Sequence, residues 1–327
     1  MATGYSVSQY GSMITCAPRM NAFAEALRRA ITPGCRVIDL GAGTGVFSLL
    51  ACRFGAGEVV AIEPADAVQV LRISARDNGY ADRITILQDV STAFAASHRA
   101  DVIISDLRGC LPLFEWHIPI IVDARERLLK PGGTLLPMRD TIRIALCNNP
   151  EYGAQFEEPW LRNEFGLDLG AGHRFAVNRS VKLTLKPADL LGMPRDLFEI
   201  DYRSVTTPDF AAKVELVAER PGTANGLLLW FDTEIAPGLG YSNAPGEPPL
   251  VYESSFFPFE QPVTMAPGDR AEIDMRARWT KADYLWTWET RIFRQGCDNP
   301  ETEYRQNSFL EAALGSARLR AASAPAG

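Results

Sequence analysis

The stretch SDLRGCLPLFE, at positions 105 to 115, carries two carboxylates, Asp106 and Glu115, and one arginine, Arg108. Two carboxylates on one loop could accept charge-assisted hydrogen bonds from a planar cation, draw positive charge away from one nitrogen and take up a released proton. The loop is therefore predicted to bind and activate a cationic acceptor such as a guanidino group. The alternative is that Asp106 caps a strand and Glu115 opens a helix, where a carboxylate is favourable without any ligand.

The elements that must position this loop form an alternating pattern. Apolar, strand-like runs lie at 36–41, 58–64, 83–89, 100–106 and 133–139, and helical patterns at 16–31, 45–55, 65–78 and 116–130. Such alternation predicts a doubly wound parallel sheet covered by helices on both faces. Four acids, Asp39, Glu63, Asp89 and Asp106, fall at the ends of successive runs. Because ligands of such sheets bind outside the carboxyl ends of the strands, we expect these acids to line one crevice.

A glycine cluster, DLGAGTG at 39–45, follows the first run and opens a helix. Gly41 and Gly43 let the backbone approach a ligand closely, and Glu63, 18 residues after Gly45, could accept the hydroxyl protons of a ribose. Position 46 is Val, so the third glycine of the dinucleotide fingerprint is missing. The pattern therefore favours a ligand with a ribose but no pyrophosphate, such as S-adenosylmethionine. The alternative is that the glycines serve only a tight turn.

The second half of the chain reads as short strands separated by turn residues, which indicates an antiparallel sandwich or barrel. Its aromatic-rich insertion at 150–170, with Trp160 and Phe165, is predicted to meet a second subunit.

Composition narrows the class of protein. A net charge of −7 argues against a nucleic-acid binder, and no apolar run reaches the length of a membrane span. Six cysteines without a CxxC pair and only three histidines argue against a zinc site, so no metal is expected. A start without a signal-peptide pattern leads us to expect a cytoplasmic protein.

Taken together, these segments resemble the protein arginine methyltransferases, a family of class I S-adenosylmethionine-dependent enzymes. The loop at 105–115 resembles the family's double-glutamate loop, with Asp106 in place of the first glutamate. YGSMITCAPR resembles its N-terminal cap, PEYGAQFEEPWLRNEFGLDL (150–169) its dimerisation arm, and LLLWFDTEIAPGLGYSNAP (227–245) a strand pair of its β-barrel. The resemblance runs from about residue 5 to 295.

The resemblance implies a Rossmann-like cofactor domain with N-terminal cap helices at 1–137 and a β-barrel domain at 138–327. The second domain would include a dimerisation arm at about 150–172 and a C-terminal helix, read from SFLEAALGSARLR. Asp106 and Glu115 would be catalytic. The implied cofactor residues are Tyr10, Met13, Arg19, Asp39, Gly41, Gly43, Gly45, Glu63, Asp89 and Val90.

The implied activity of this homodimer is methyl transfer from S-adenosylmethionine to a guanidino nitrogen, of free arginine, a small guanidino compound or a protein arginine. Three departures bear on the acceptor. Asp106 is shorter than glutamate, the family's Thr-His-Trp loop falls at Leu250, Val251 and Tyr252, and Cys110 stands where an aromatic often lines the acceptor tunnel. Two alternatives stay open: methylation of another amine or hydroxyl acceptor, and a non-catalytic dimeric scaffold.

Overall fold

The computed structural model describes residues 5–309, and its elements follow in chain order. The first unit comprises α1 (Val7–Thr15), α2 (Ala17–Ala30), β1 (Arg36–Leu40), α3 (Val46–Arg53), β2 (Glu58–Ile62), α4 (Val68–Asp77), β3 (Ile84–Leu87), β4 (Ala100–Ser105), α5 (His117–Arg127) and β5 (Leu129–Leu136). The second comprises β6 (Arg139–Cys147), α6 (Pro150–Tyr152), α7 (Glu158–Leu161), α8 (Gly170–Ala176), β7 (Val181–Leu183), β8 (Arg195–Asp201), β9 (Phe210–Val217), β10 (Gly222–Ala236), β11 (Leu239–Ser242), β12 (Ser254–Met265), β13 (Arg270–Trp279), β14 (Tyr284–Phe293) and β15 (Thr302–Asn307).

The first unit is built on a five-stranded parallel sheet in the order β3-β2-β1-β4-β5. Its central strands are apolar on both faces, and Ile38, Val60 and Ile103 are buried. Chain order reverses between β1 and β4, so the carboxyl ends of these two strands flank the switch point where such sheets bind ligands. The predicted parallel sheet is confirmed.

The predicted end of helix α5 is wrong. A helix was predicted over 116–130 and a strand over 133–139, but α5 ends at Arg127 and β5 runs from Leu129 to Leu136. The pairing of β4 with β5 shifts register between Ala100 and Val102. Such a bulge lets a strand contain residues that cannot continue a regular ladder.

The second unit consists of antiparallel sheets, as predicted. One sheet has the order β7-β12-β10-β6-β8, with β11 paired to β10, and the other has the order β15-β14-β13-β9. Alternating side chains of both sheets, including Phe257, Trp286 and Trp288, are buried in a shared core. Ring pairs such as Phe257 and Trp288, with centroids 5.2 Å apart, join the two sheets.

The insertion predicted to meet another subunit is a short helical segment that follows β6. It contains α6, a π-helical turn over Gly153–Glu157, α7 and, further on, α8. Trp160, Phe165 and Leu167 are exposed there, and Phe165 exposes 82% of its surface. The C-terminal helix predicted from residue 308 onward lies, beyond residue 309, outside the described residues. Within 5–309, no helix is long and apolar enough to cross a membrane.

Candidate active site

The predicted glycine turn connects β1 to α3 and has no room for side chains. Gly41, Gly43 and Gly45 have φ angles of 69°, 53° and 82°, in the left-handed region that L residues rarely adopt. A Cβ atom on Gly41 would lie 2.2 Å from Leu107 Cδ2, and one on Gly43 would lie 2.5 Å from Tyr10 Cε1. The turn is therefore a cradle of bare backbone, with the acid loop packed on one side and α1 on the other.

Two buried carboxylates flank the cradle. Asp39 accepts a hydrogen bond from Ser48 Oγ at 2.7 Å, and burial raises the pKa of Asp39 to about 6 in spite of that bond. Glu63 accepts from the backbone nitrogens of Gly43, at 2.9 Å, and Ala65, at 2.8 Å. These bonds fix the Glu63 carboxylate beside the turn, where the sequence predicted a ribose contact.

The N-terminal residues assigned to the cofactor lie over the same turn. Tyr10 covers Gly43, and burial together with the charge of Glu63 raises the pKa of Tyr10 to about 12. The carbonyl oxygen of Met13 accepts a hydrogen bond from Arg19 Nη1 at 3.2 Å. Arg19 is buried, and its guanidinium carbon lies 4.9 Å from the centre of the Phe47 ring.

Asp89 and Val90 lie farther out, after β3. Asp89 accepts a hydrogen bond from the Val90 backbone nitrogen at 2.7 Å, and 49% of Val90 is exposed. The preceding strand meets β2 where the Glu63 backbone nitrogen donates to Leu87, at 3.0 Å. The two residues thus lie at the outer edge of the same row of strand ends, with their contact to a cofactor still a prediction.

Asp106 is held by groups of the chain itself. Its Oδ2 accepts from Arg19 Nε at 2.6 Å and from the Tyr252 hydroxyl at 2.6 Å, while Oδ1 accepts from Arg108 Nε at 3.1 Å and Nη2 at 3.0 Å. Burial alone would raise its pKa, but the charges of Arg19 and Arg108 outweigh burial and lower the pKa of Asp106 to about 2. Asp106 is therefore an ionised carboxylate with both oxygens engaged.

Arg108 is fully buried and connects the acid loop to the second unit. Its Nη1 donates to Asp140 Oδ1 at 2.9 Å and to Thr233 Oγ1 at 2.7 Å, and its Nη2 donates to the Tyr241 hydroxyl at 2.5 Å. The guanidinium carbon lies 5.3 Å from the centre of the Phe231 ring. The hydrogen-bonded network therefore spans the parallel sheet and the antiparallel one.

The network ends at a buried histidine. Tyr202 donates its hydroxyl proton to Asp140, and His117 Nε2 lies 3.0 Å from the Tyr202 oxygen. Because the Tyr202 proton is already committed, His117 must donate through Nε2, which leaves Nδ1 as the unprotonated nitrogen. Burial and the positive charge of Arg108 lower the pKa of His117 to about 3, so this histidine is neutral near pH 7.

Glu115 lies apart from this network. Its φ is 41°, and its backbone nitrogen lies 3.3 Å from Asp283 Oδ1. Its carboxylate has no hydrogen bond or ion pair with the residues from 5 to 309, and burial together with the charge of Asp283 raises the pKa of Glu115. Burial, and after it the charges of Glu115 and Asp106, raise the pKa of Tyr5. The two carboxylates share no hydrogen-bond partner among residues 5–309.

Sequence reasoning missed the contacts behind Asp106. Arg108 was noted only as the loop's one cation, and Asp140, Thr233 and Tyr241 were given no role. The available signal was the arginine itself, since a cation among apolar loop residues needs a buried acid if it turns inward. Tyr252, at the third position of the replaced Thr-His-Trp loop, contacts Asp106 directly.

Two family models match the chain. The model described as "Ribosomal protein L11 methyltransferase (PrmA)" covers residues 22–136, and "Arginine methyltransferase oligomerization subdomain" covers residues 138–288. The chain is a divergent member of the protein arginine N-methyltransferase family. Family membership agrees with the resemblance read from the acid loop, the arm and the barrel.

The relatives are distant in sequence and near in fold. Protein arginine N-methyltransferase 1 of Saccharomyces cerevisiae is 26% identical over 250 residues, which are 73% of this chain and 71% of that protein. The arginine N(omega)-methyltransferase of Streptomyces achromogenes subsp. streptozoticus is 26% identical over 276 residues, 82% of this chain and 75% of that protein. A Trypanosoma brucei PRMT1 enzyme–prozyme heterotetrameric complex with AdoHcy matches with a TM-score of 0.83 at 21% identity, over 91% of this chain and 96% of that one.

Proposed function

We propose that this family member transfers a methyl group from S-adenosylmethionine to a guanidino nitrogen of arginine. The observation that carries the proposal is the packing of the acid loop on the glycine turn. Leu107, next to Asp106, covers Gly41, and Arg19 joins the N-terminal helices to the Asp106 carboxylate at 2.6 Å. A donor held on the turn and an acceptor held by the loop would therefore be neighbours, which is what in-line transfer requires.

The cofactor would rest on the turn, and the residues present fit it. Glu63 offers a fixed carboxylate for ribose hydroxyls, and the bare backbone of Gly41 and Gly43 allows close approach. Arg19 Nη2 has no hydrogen-bond partner among residues 5–309 and could meet a carboxylate of the ligand. When bound, S-adenosylmethionine supplies an electrophilic methyl group on a sulfonium. Tyr10, Met13, Asp39, Gly45, Asp89 and Val90 complete the proposed cofactor site.

On the acceptor side, Glu115 would hold a guanidinium and orient its nitrogen, and Asp106 would supply negative charge beside it. Glu115 carries the free carboxylate, and its raised pKa suits a group that takes up the proton lost by the methylated nitrogen. Asp106 is the anionic neighbour that Arg19 and Arg108 hold in place. Free arginine, a small guanidino compound and a protein arginine are the candidate acceptors.

We further propose a homodimer that works in the cytoplasm and joins through the arm at about 150–172. Exposed aromatic side chains on the arm, Phe156, Trp160 and Phe165, support this surface as a subunit contact. The division into a cofactor domain at 1–137 and a substrate domain at 138–327 is part of the same proposal.

The function is tested by incubating the protein with labelled S-adenosylmethionine and, separately, arginine and arginine peptides. Mass analysis should show the gain of one methyl group on a guanidino nitrogen. Glu115→Gln should retain cofactor binding and lose most turnover, whereas Glu126→Gln, on the exposed face of α5, should behave like the parent. Methyl transfer only to amines or hydroxyls, or cofactor binding without any transfer, would reject the proposed acceptor.

A further inference from the structure

Arg108 occupies a complete guanidinium-binding site inside the protein. A guanidinium has five N–H donors, and all five find acceptors here. Nε and one Nη2 proton go to Asp106, the other Nη2 proton to Tyr241, and the two Nη1 protons to Asp140 and Thr233. Arg108 therefore has the contacts that an arginine acceptor would otherwise seek from the same carboxylate.

The Asp106 carboxylate has no capacity left for an external guanidinium. An ionised carboxylate accepts about four hydrogen bonds. Arg108 supplies two of these at Oδ1, and Arg19 and Tyr252 supply one each at Oδ2. A ligand could bind Asp106 only by displacing one of these donors.

Arg108 is also the donor least able to leave. The side chains of Arg108 and Asp140 are both 0% exposed. Moving the guanidinium would therefore leave the buried Asp140 carboxylate without its counter-charge. Glu115 differs from Asp106 both in its hydrogen bonding and in its exposure. Its carboxylate has no partner within the described part of the chain, and the residue is exposed where the loop turns into α5.

We propose that Arg108 is a specificity-determining residue, which withdraws Asp106 from the acceptor and leaves Glu115 as the loop carboxylate that grips it. This inference rests on the proposed methyl transfer to a guanidino group. A single carboxylate holds one side of a guanidinium and distinguishes it poorly from an ammonium, whereas two carboxylates can match its planar fork. The protein should therefore prefer arginine over lysine only modestly as a ligand.

The test measures binding of free arginine and free lysine by calorimetry, with the protein saturated with S-adenosylhomocysteine. The variant Arg108→Met/Asp140→Asn removes both members of the buried pair and releases Asp106 Oδ1. Its affinity for arginine should rise about tenfold, the gain from one added charged hydrogen bond, with a smaller change for lysine. Arg125→Met, which removes an arginine bonded to the Tyr202 carbonyl, is the matched control and should keep the parent ratio. An arginine-to-lysine ratio in the double variant at or below that of the parent would overturn the proposal.

If the double variant does not fold, a second pair of substitutions tests the same proposal. Glu115→Gln should weaken arginine binding far more than Asp106→Asn does, and equal losses would overturn the proposal. Failure of the underlying function gives a different result. The parent protein would then bind S-adenosylhomocysteine yet neither bind nor methylate any guanidino compound.

Discussion

The buried pair of Arg108 and Asp140 allows a quantitative stability prediction for Arg108→Met. Methionine fills much of the arginine volume but leaves Asp140 in a fully buried place without its cation. Removing one partner of a buried ion pair destabilises a protein by about 3–5 kcal/mol, because the remaining charge has lost both water and counter-charge. We expect a loss of that size in the free energy of unfolding. The bond from Tyr202 to Asp140 moderates the loss without replacing the charge.

The companion variants show whether charge is the cause. Arg108→Met/Asp140→Asn keeps an acceptor for Tyr202 and removes the unpaired charge of Asp140. Its free energy of unfolding should therefore fall by less than that of Arg108→Met. The coupling energy between the two sites should be about 2 kcal/mol or more, at the upper part of the range for contacting residues. Equilibrium urea unfolding of the parent, both single variants and the double variant gives this value. Additive effects of the two substitutions would refute the reasoning.

The pair of Arg108 and Asp140 also predicts how the stability of Arg108→Met depends on pH. Burial already raises the pKa of Asp140 in the parent in spite of Arg108, and loss of that cation in Arg108→Met raises it further. A raised folded pKa favours the folded state at low pH, and this contribution is lost as the pH rises through that pKa. The stability gap between Arg108→Met and the parent should therefore narrow as the pH is lowered from about 8 to about 5. A gap that widens on acidification would contradict this sign.

Three further outcomes are expected. Gly43→Ala should weaken S-adenosylhomocysteine binding in calorimetry, because its Cβ meets a ring at 2.5 Å, whereas Gly79→Ala, equally strained but with nothing within 4 Å, should not. The ratio kcat/KM should increase with pH through the raised pKa of Glu115, and a profile that falls over this range would exclude it as the base. Phe165→Glu should shift the protein toward monomer in sedimentation, while Met193→Glu, 65% exposed outside the arm, should not.

The sequence predicts the first half of the site well because local signals determine it. Apolar strands followed by acids placed Asp39, Glu63 and Asp106 at the carboxyl ends of parallel strands, as the structure has them. The glycine pattern predicted a turn of left-handed residues, and the φ angles of Gly41 and Gly43 confirm it. Each of these features depends on residues within a few positions of one another.

The partners of Arg108 could not be predicted in this way. Asp140 is 32 positions away, Thr233 is 125 and Tyr241 is 133, so their approach depends on how the two units pack. The early start of β5 has a related cause, since Leu129 pairs with Ala100 of β4, while Pro131 and Gly132 lie where the register shifts. Long-range pairing decides both outcomes, and no pattern in a single segment reports it.

The pairing of β6 with β10 sets Asp140 opposite Thr233, and both hold the same nitrogen of Arg108. One residue pair of this antiparallel sheet thus binds an arginine of the neighbouring unit. If the chain were cut near residue 137, Arg108 would keep Asp106 but lose Asp140, and Asp140 would lose its buried cation. A chimera that joins the amino-terminal fragment to a foreign antiparallel domain would need an acid and a hydroxyl at the matching positions of two paired strands.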